Sequence, residues 1–177
     1  HGNEGIVDVL YDYDRIRERL GASPGLPPTL RAEPTMWRYL PLLPVEPDGR
    51  RPPLRVGWTP FYAAPRLGDR LGLRHLWVKD DGQNPTASLK DRASALAVTR
   101  AMAEGAEVIT TASTGNAAAA LAGMAASVGM PAVIFVPRDA PRAKIAQHLV
   151  YGARVLLVDG TYDEAFDLAL RAAKDFG

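Results

Sequence analysis

Lys90 closes the run Asn84-Pro-Thr-Ala-Ser-Leu-Lys90 and precedes Asp91-Arg92, just after the strand-like His75-Leu-Trp-Val-Lys79. The turn-forming Asn-Pro leads to Ser88, whose hydroxyl can cap a helix, with Asp91 placed to complete a capping box. Lys90 is then expected in the first turn of that helix. The open amides and positive dipole end of a helix start disfavour a cation there, and partial burial is expected to favour the neutral amine further. A neutral amine is a nucleophile: it can form an imine with an aldehyde, then serve as base or acid toward the attached carbon skeleton.

A second constellation, Ser113-Thr114-Gly115-Asn116, opens a segment that continues as Ala117-Ala-Ala-Ala120. Two hydroxyls, a glycine that permits a sharp turn and the unpaired amides of a helix start make a nest for a carboxylate or phosphate. Asn116 adds an amide that either donates to a phenolate-like oxygen or caps the helix. Taken singly, each motif also fits a plain structural reading, a solvated lysine in one case and a capped helix start in the other.

Both motifs need an element to hold them. From Leu73 onward, strands are expected near 75–79, 107–112, 132–136 and 154–158, with helices near 89–104, 116–128, 141–150 and 162–175. Pro141 suits a first helical turn, and Thr161 with Glu164 forms a capping-box pair. Such alternation implies an α/β domain, a parallel twisted sheet with helices on both faces and right-handed crossovers. Ligands of such sheets sit beyond the carboxyl ends of strands, so both motifs are expected to face one crevice. Residues 1–72 read differently. They hold many of the 15 prolines, with short helices expected over Tyr13–Leu20 and Thr35–Tyr39. Met36-Trp-Arg-Tyr-Leu-Pro-Leu-Leu43 is too apolar and aromatic for a free tail. The expectation is an irregular arm, 1–72, that packs on a further domain or subunit, followed by an α/β domain at 73–177.

Composition narrows the function. With 21 basic and 20 acidic residues the net charge is +1, which offers no footprint for nucleic acid or an anionic membrane. No charged residue lies between Val108 and Pro137, but Gly115, Gly123, Gly129 and Pro131 break that run into strand, turn, helix and strand, so it reads as a buried βαβ unit and not a membrane span. There is no cysteine, which excludes disulfides and thiolate metal sites and fits a reducing, cytoplasmic compartment. His1, His75 and His148 share no ligand spacing, so no metal is expected. No secretory signal opens the chain, and its start at His1 is read as that of a processed or partial chain.

Together the two motifs resemble the pyridoxal-phosphate enzymes of the tryptophan-synthase β type, and among them the threonine synthases. The resemblance extends along the chain through Met36-Trp-Arg-Tyr-Leu40, Leu42-Leu-Pro-Val45, Gly57-Trp-Thr-Pro60, Lys79-Asp-Asp-Gly-Gln-Asn-Pro85, Val133 to Pro137, Lys144-Ile-Ala-Gln147 and Tyr151-Gly-Ala-Arg154. Leu89 departs from a common phenylalanine and Ala117 from a common threonine. What the resemblance implies is the smaller, N-terminal domain of a two-domain fold with pyridoxal 5'-phosphate as cofactor. Lys90 would be the catalytic residue linked to the cofactor aldehyde, Asn116 would bond the ring oxygen, and Ser113, Thr114, Gly115 and Asn116 would hold the substrate's α-carboxylate. The implied reaction converts O-phospho-L-homoserine and water to L-threonine and phosphate, in a homodimer when full length. A glycine-rich loop for the cofactor phosphate and a polar partner for the pyridine nitrogen are implied further along; neither is read before Gly177. The expectation is therefore an N-terminal portion of a larger enzyme, inactive by itself. Two other readings stay open: a neighbouring enzyme of the same fold, such as a serine or threonine dehydratase or cysteine synthase, and a truncated, non-catalytic α/β interaction module.

Overall fold

The computed structural model describes residues 9–21 and 28–176; residues 1–8 and 22–27 of the expected arm, with Gly177, lie outside the described residues. The first helix, α1 (Tyr13–Leu20), has the expected bounds. Asp12 caps it by accepting from the Arg15 amide at 3.0 Å, and Gly21 ends it at a φ of 75°. After the short α2 (Pro28–Ala32), Thr35 starts a tight 3₁₀ segment over Met36–Leu42 by accepting from the Trp37 amide at 3.2 Å.

The arm packs in part on the α/β body itself. Met36 and Trp37 are buried in one core with Val56, and the Met36 amide donates to the Val56 carbonyl at 2.7 Å. The same core holds residues of α4 (Lys90–Ala103) and α5 (Asn116–Ser127). Its apolar residues thus find a partner within the described chain, which composition alone did not identify.

The parallel sheet has three strands in the order β3 (Ile109–Ala112), β4 (Ala132–Pro137), β5 (Arg154–Val158). The register sets Thr111 beside Ile134 and Ile134 beside Val155. Side chains on β4 alternate between two layers. Ile134 and Val136 face the core shared with α4 and α5, while Phe135 and Val133 face α7 (Tyr162–Phe176) with its buried Ala165 and Ala169. The intervening α6 (Arg142–Val150) packs against α5 and β5. Helices therefore cover both faces, and α5 is buried along most of its length from Ala118 to Ala125. Its alanines let α4 lie close against it.

The strand expected at 75–79 does not join this sheet. Observed as β2 (Trp77–Lys79), it pairs antiparallel with β1 (Phe61–Ala63), Tyr62 opposite Val78, across a connection that contains α3 (Pro65–Leu71). The physical reason is visible in the side chains. Every residue of β1 and β2 is exposed, with Phe61 stacked on Trp77 at 5.0 Å between ring centroids, whereas β4 is apolar and nearly all buried. A central parallel strand needs cover on both faces, which Trp77-Val78-Lys79 lacks among the described residues.

Candidate active site

Lys90 is the first residue of α4, at the end of a turn held by buried polar contacts. Asn84 is buried, accepting from the Gly57 amide at 2.9 Å and donating to the Asp81 carbonyl at 3.1 Å. The Ala87 amide donates to the Asn84 carbonyl at 2.8 Å, and Ala87 itself takes a left-handed φ of 60° as the chain turns into the helix. Ser88 accepts from the Lys90 amide at 3.2 Å, as a capping hydroxyl should.

The capping box itself is not completed. Asp91 is fully buried and turns toward Thr86, accepting from its amide at 2.7 Å and from its hydroxyl. A buried carboxylate needs strong donors, and Thr86 supplies two at once, while its position in the first helical turn also suits a negative charge. Arg92 then forks onto Asp81, both contacts at 2.8 Å, and Thr59 donates to the same carboxylate at 2.7 Å. The Arg92 hydrogen bond holds the Asp81 carboxyl down at about 2, against a partial opposing effect of desolvation. Lys90 is exposed and not partly buried as expected, because the walls that would enclose its amine are not supplied by the described residues around it.

The second turn follows β3 directly. Ser113, Thr114 and Gly115 are half-buried and Asn116, exposed, begins α5. Ser113 Oγ accepts from the Gly115 amide at 3.2 Å, but no side chain caps the helix, so the amides of its first turn stay uncapped. Of the two roles open to Asn116, capping is not the one adopted. Its Oδ1 accepts from Lys144 Nζ at 3.0 Å. Lysine can only donate, so the amide oxygen faces α6 and the NH₂ group is left without a protein acceptor among the described residues.

His148, and the contact of Lys144 with the site, were not read from the sequence, although their spacing on α6 was a usable signal: residues four apart share one helix face. Lys144 reaches Asn116, and His148 lies fully buried beside Gly115. Burial pushes the imidazole below its ordinary value, and the nearby Lys144 cation adds to that, while the Gly115 backbone opposes it. Neither ring nitrogen makes a hydrogen bond of ordinary geometry among the described residues.

One helix ties the two turns together. Gly123 of α5 has no room for a side chain, because a Cβ there would stand 2.6 Å from the Thr86 methyl carbon. The Lys90 turn thus rests on α5 two helical turns, about 10 Å, from the Asn116 end. An exposed amine, an amide with free donors, two hydroxyls and uncapped helix amides suit an aldehyde and an anionic group such as a carboxylate or phosphate, which fits the aldehyde-bearing cofactor that the resemblance implies.

One family named for such a compound matches this chain. The family described as pyridoxal-phosphate dependent enzyme matches residues 53–177. The chain is similar to the threonine synthase of Methanocaldococcus jannaschii, 37% identical over 172 residues covering 97% of this chain and 42% of that protein. It is also similar to that of Methanosarcina acetivorans, 40% identical over 169 residues covering 93% of this chain and 39% of the relative. Among solved structures, Escherichia coli diaminopropionate ammonia lyase in apo form shares the fold with a TM-score of 0.60 at 23% identity, over 73% of this chain and 39% of the other. Threonine deaminase isoform 2 of Solanum lycopersicum gives a TM-score of 0.57 at 29% identity, over 67% and 33%. The chain spans about two fifths of the length of the curated relatives it matches.

Proposed function

The chain belongs to the pyridoxal-phosphate-dependent enzymes, and we propose that it is the N-terminal portion of a threonine synthase. In the whole protein, O-phospho-L-homoserine and water would give L-threonine and phosphate. The observation that carries this reading is the pairing of two prepared turns on α5: Lys90 at the end of a rigidly bonded loop, and Asn116 with its oxygen taken by Lys144 and its NH₂ free.

Bound pyridoxal phosphate supplies an aldehyde for an amine and a ring that draws electron density away from the substrate's carbons. Lys90 Nζ would hold that aldehyde. Asn116 NH₂ would donate to the ring oxygen, and the hydroxyls of Ser113 and Thr114 with the amides around Gly115 would hold the substrate's α-carboxylate. When free and neutral, the Lys90 amine is a base within the site, able to take a proton from the substrate's α carbon and return one to the skeleton. Residues 1–72 would serve as the arm and 73–177 as the lysine-bearing domain, in a cytoplasmic homodimer. Among the described residues no helix is long and apolar enough to cross a membrane.

The test is reduction of the full-length, cofactor-loaded protein with borohydride followed by peptide mass analysis. Lys90 is expected to carry the label, and Lys90→Ala to abolish it; an intact label in that variant overturns the reading. Product analysis with phosphohomoserine, serine and acetylserine separates the proposed reaction from its neighbours. Threonine and phosphate should appear from the first substrate only.

A further inference from the structure

Between the arm and α4 lies an open cleft of about 990 Å³ whose lining includes Arg38, Arg55, Lys79 and Arg92 and no carboxylate. Two of these cations are engaged. Arg92 forks onto Asp81, and Lys79 Nζ donates to the Thr59 carbonyl at 2.5 Å. The other two have no ionic partner among the described residues. Arg55 is exposed and makes no hydrogen bond or ion pair among the described residues. Arg38 stands over Trp58, its guanidinium carbon 3.8 Å from the ring centroid, and its Nε is buried without a hydrogen-bond partner among the described residues. A buried donor left unpaired is costly, and such groups call for a partner.

The indole is held in place by a constrained turn. Trp58 takes a φ of 51°, a left-handed conformation that a bulky residue adopts only when its surroundings impose it. They do so here: the preceding Gly57 has a φ of 80°, its amide is held by buried Asn84, and a Cβ on it would meet the Met36 amide nitrogen at 3.0 Å. The result is an aromatic surface, Trp58 with Tyr39 beside it, standing next to unsatisfied positive charge.

We propose that this cleft binds an anion that carries a planar ring, the ring lying against Trp58 and Tyr39 and the anionic group meeting Arg38 and Arg55, the two cations without an ionic partner among the described residues. A nucleoside phosphate and an aromatic carboxylate share that chemistry. The site is distinct from the Lys90 turn. Arg92 follows Lys90 by two residues, which places it about 200° around the helix. Binding there does not depend on the reaction proposed above.

Calorimetric titration of the full-length, cofactor-loaded protein tests this. Uridine 5'-monophosphate and indole-3-acetate are the ring-bearing anions; ribose 5-phosphate and uridine are the ring-less and charge-less controls. At least one ring-bearing anion should saturate with a Kd below about 1 mM, and both controls should bind roughly tenfold more weakly or not at all. Uridine monophosphate alone would identify a nucleoside phosphate site, and indole-3-acetate alone an aromatic carboxylate site. Arg38→Ala and Arg55→Ala should each weaken binding about tenfold, and Ser113→Ala should leave it unchanged. Arg55 is exposed, so its variant folds and keeps the test decisive. Absence of saturable binding by either ring-bearing anion, equal affinity for ribose 5-phosphate, undiminished affinity in Arg55→Ala, or loss of binding in Ser113→Ala would each overturn the proposal.

Discussion

The turn that carries Lys90 and the turn that begins α5 both lead into helices, and they are held in opposite ways. Around Lys90, polar groups are paired with one another: Asn84 with Gly57 and Asp81, Thr86 with Asp91, Ser88 with the helix start. Around Asn116 the pairing is sparser, with one bond from the Gly115 amide to Ser113, one from Lys144 to the Asn116 side chain, and an uncapped helix behind them. A nucleophile gains from a loop that cannot move, since misplacement of the reacting atom is costly. An anion nest gains from donors that the protein itself has not taken. The first turn therefore contributes to stability, and the second trades stability for binding capacity.

That contrast can be broken most severely at Asp91. Asp91→Ala leaves the Thr86 amide and hydroxyl unpaired in a buried place, and unfolding in urea should show a loss of about 3 kcal/mol. Gly123→Ala comes next, at about 2 kcal/mol, because the new Cβ meets the Thr86 methyl. Combining it with Thr86→Ser, which removes that methyl, should restore most of the loss. If the double variant is as unstable as Gly123→Ala alone, the two turns are not coupled through this contact.

On the other turn the expected order of effects reverses. Ser113→Ala should cost less than about 1 kcal/mol of stability, since only one exchangeable hydrogen bond is lost, while KM of the full-length enzyme rises about tenfold. A large drop in stability with unchanged KM would undo the distinction.

The smallest effects are those of pH. Asp81 titrates at about 2 in the fold against 3.8 ordinarily, so its contribution is present above about pH 4 and fades as pH falls toward 2. Arg92→Gln should flatten that acid limb of a thermal-unfolding profile. His148 has the opposite chemistry with the same direction of loss. Its folded value lies below the ordinary 6.5, so below that pH the unfolded chain takes up the proton more readily and stability declines. His148→Gln should remove the decline between pH 6.5 and the Asp81 limb.

The regular elements were legible because their signals are local. Helices expected at 89–104 and 162–175 are observed at Lys90–Ala103 and Tyr162–Phe176, and the Thr161–Glu164 box forms, with amide contacts of 2.7 and 3.3 Å. Ser88 and Asp91 carry the same box signature, yet Asp91 pairs with Thr86, because in a buried turn the nearer pair of strong donors wins. The pairing of Trp77–Lys79 with Phe61–Ala63 was not legible either. Strand propensity says that a segment is extended and leaves its neighbour open. The arm's Trp37 was readable as buried, but not what would bury it.

What the sequence by itself determined is the alternation that makes an α/β fold and the residue types at two helix starts, since periodicity, caps and turn residues act over a few positions. The tertiary structure alone decided that Gly123 seats the Lys90 turn on α5, that Lys144 turns the Asn116 amide oxygen toward α6, and that His148 is sealed beside Gly115. Those outcomes depend on contacts between residues far apart along the chain. Close packing and the need of buried polar groups for partners select them only after the elements have come together.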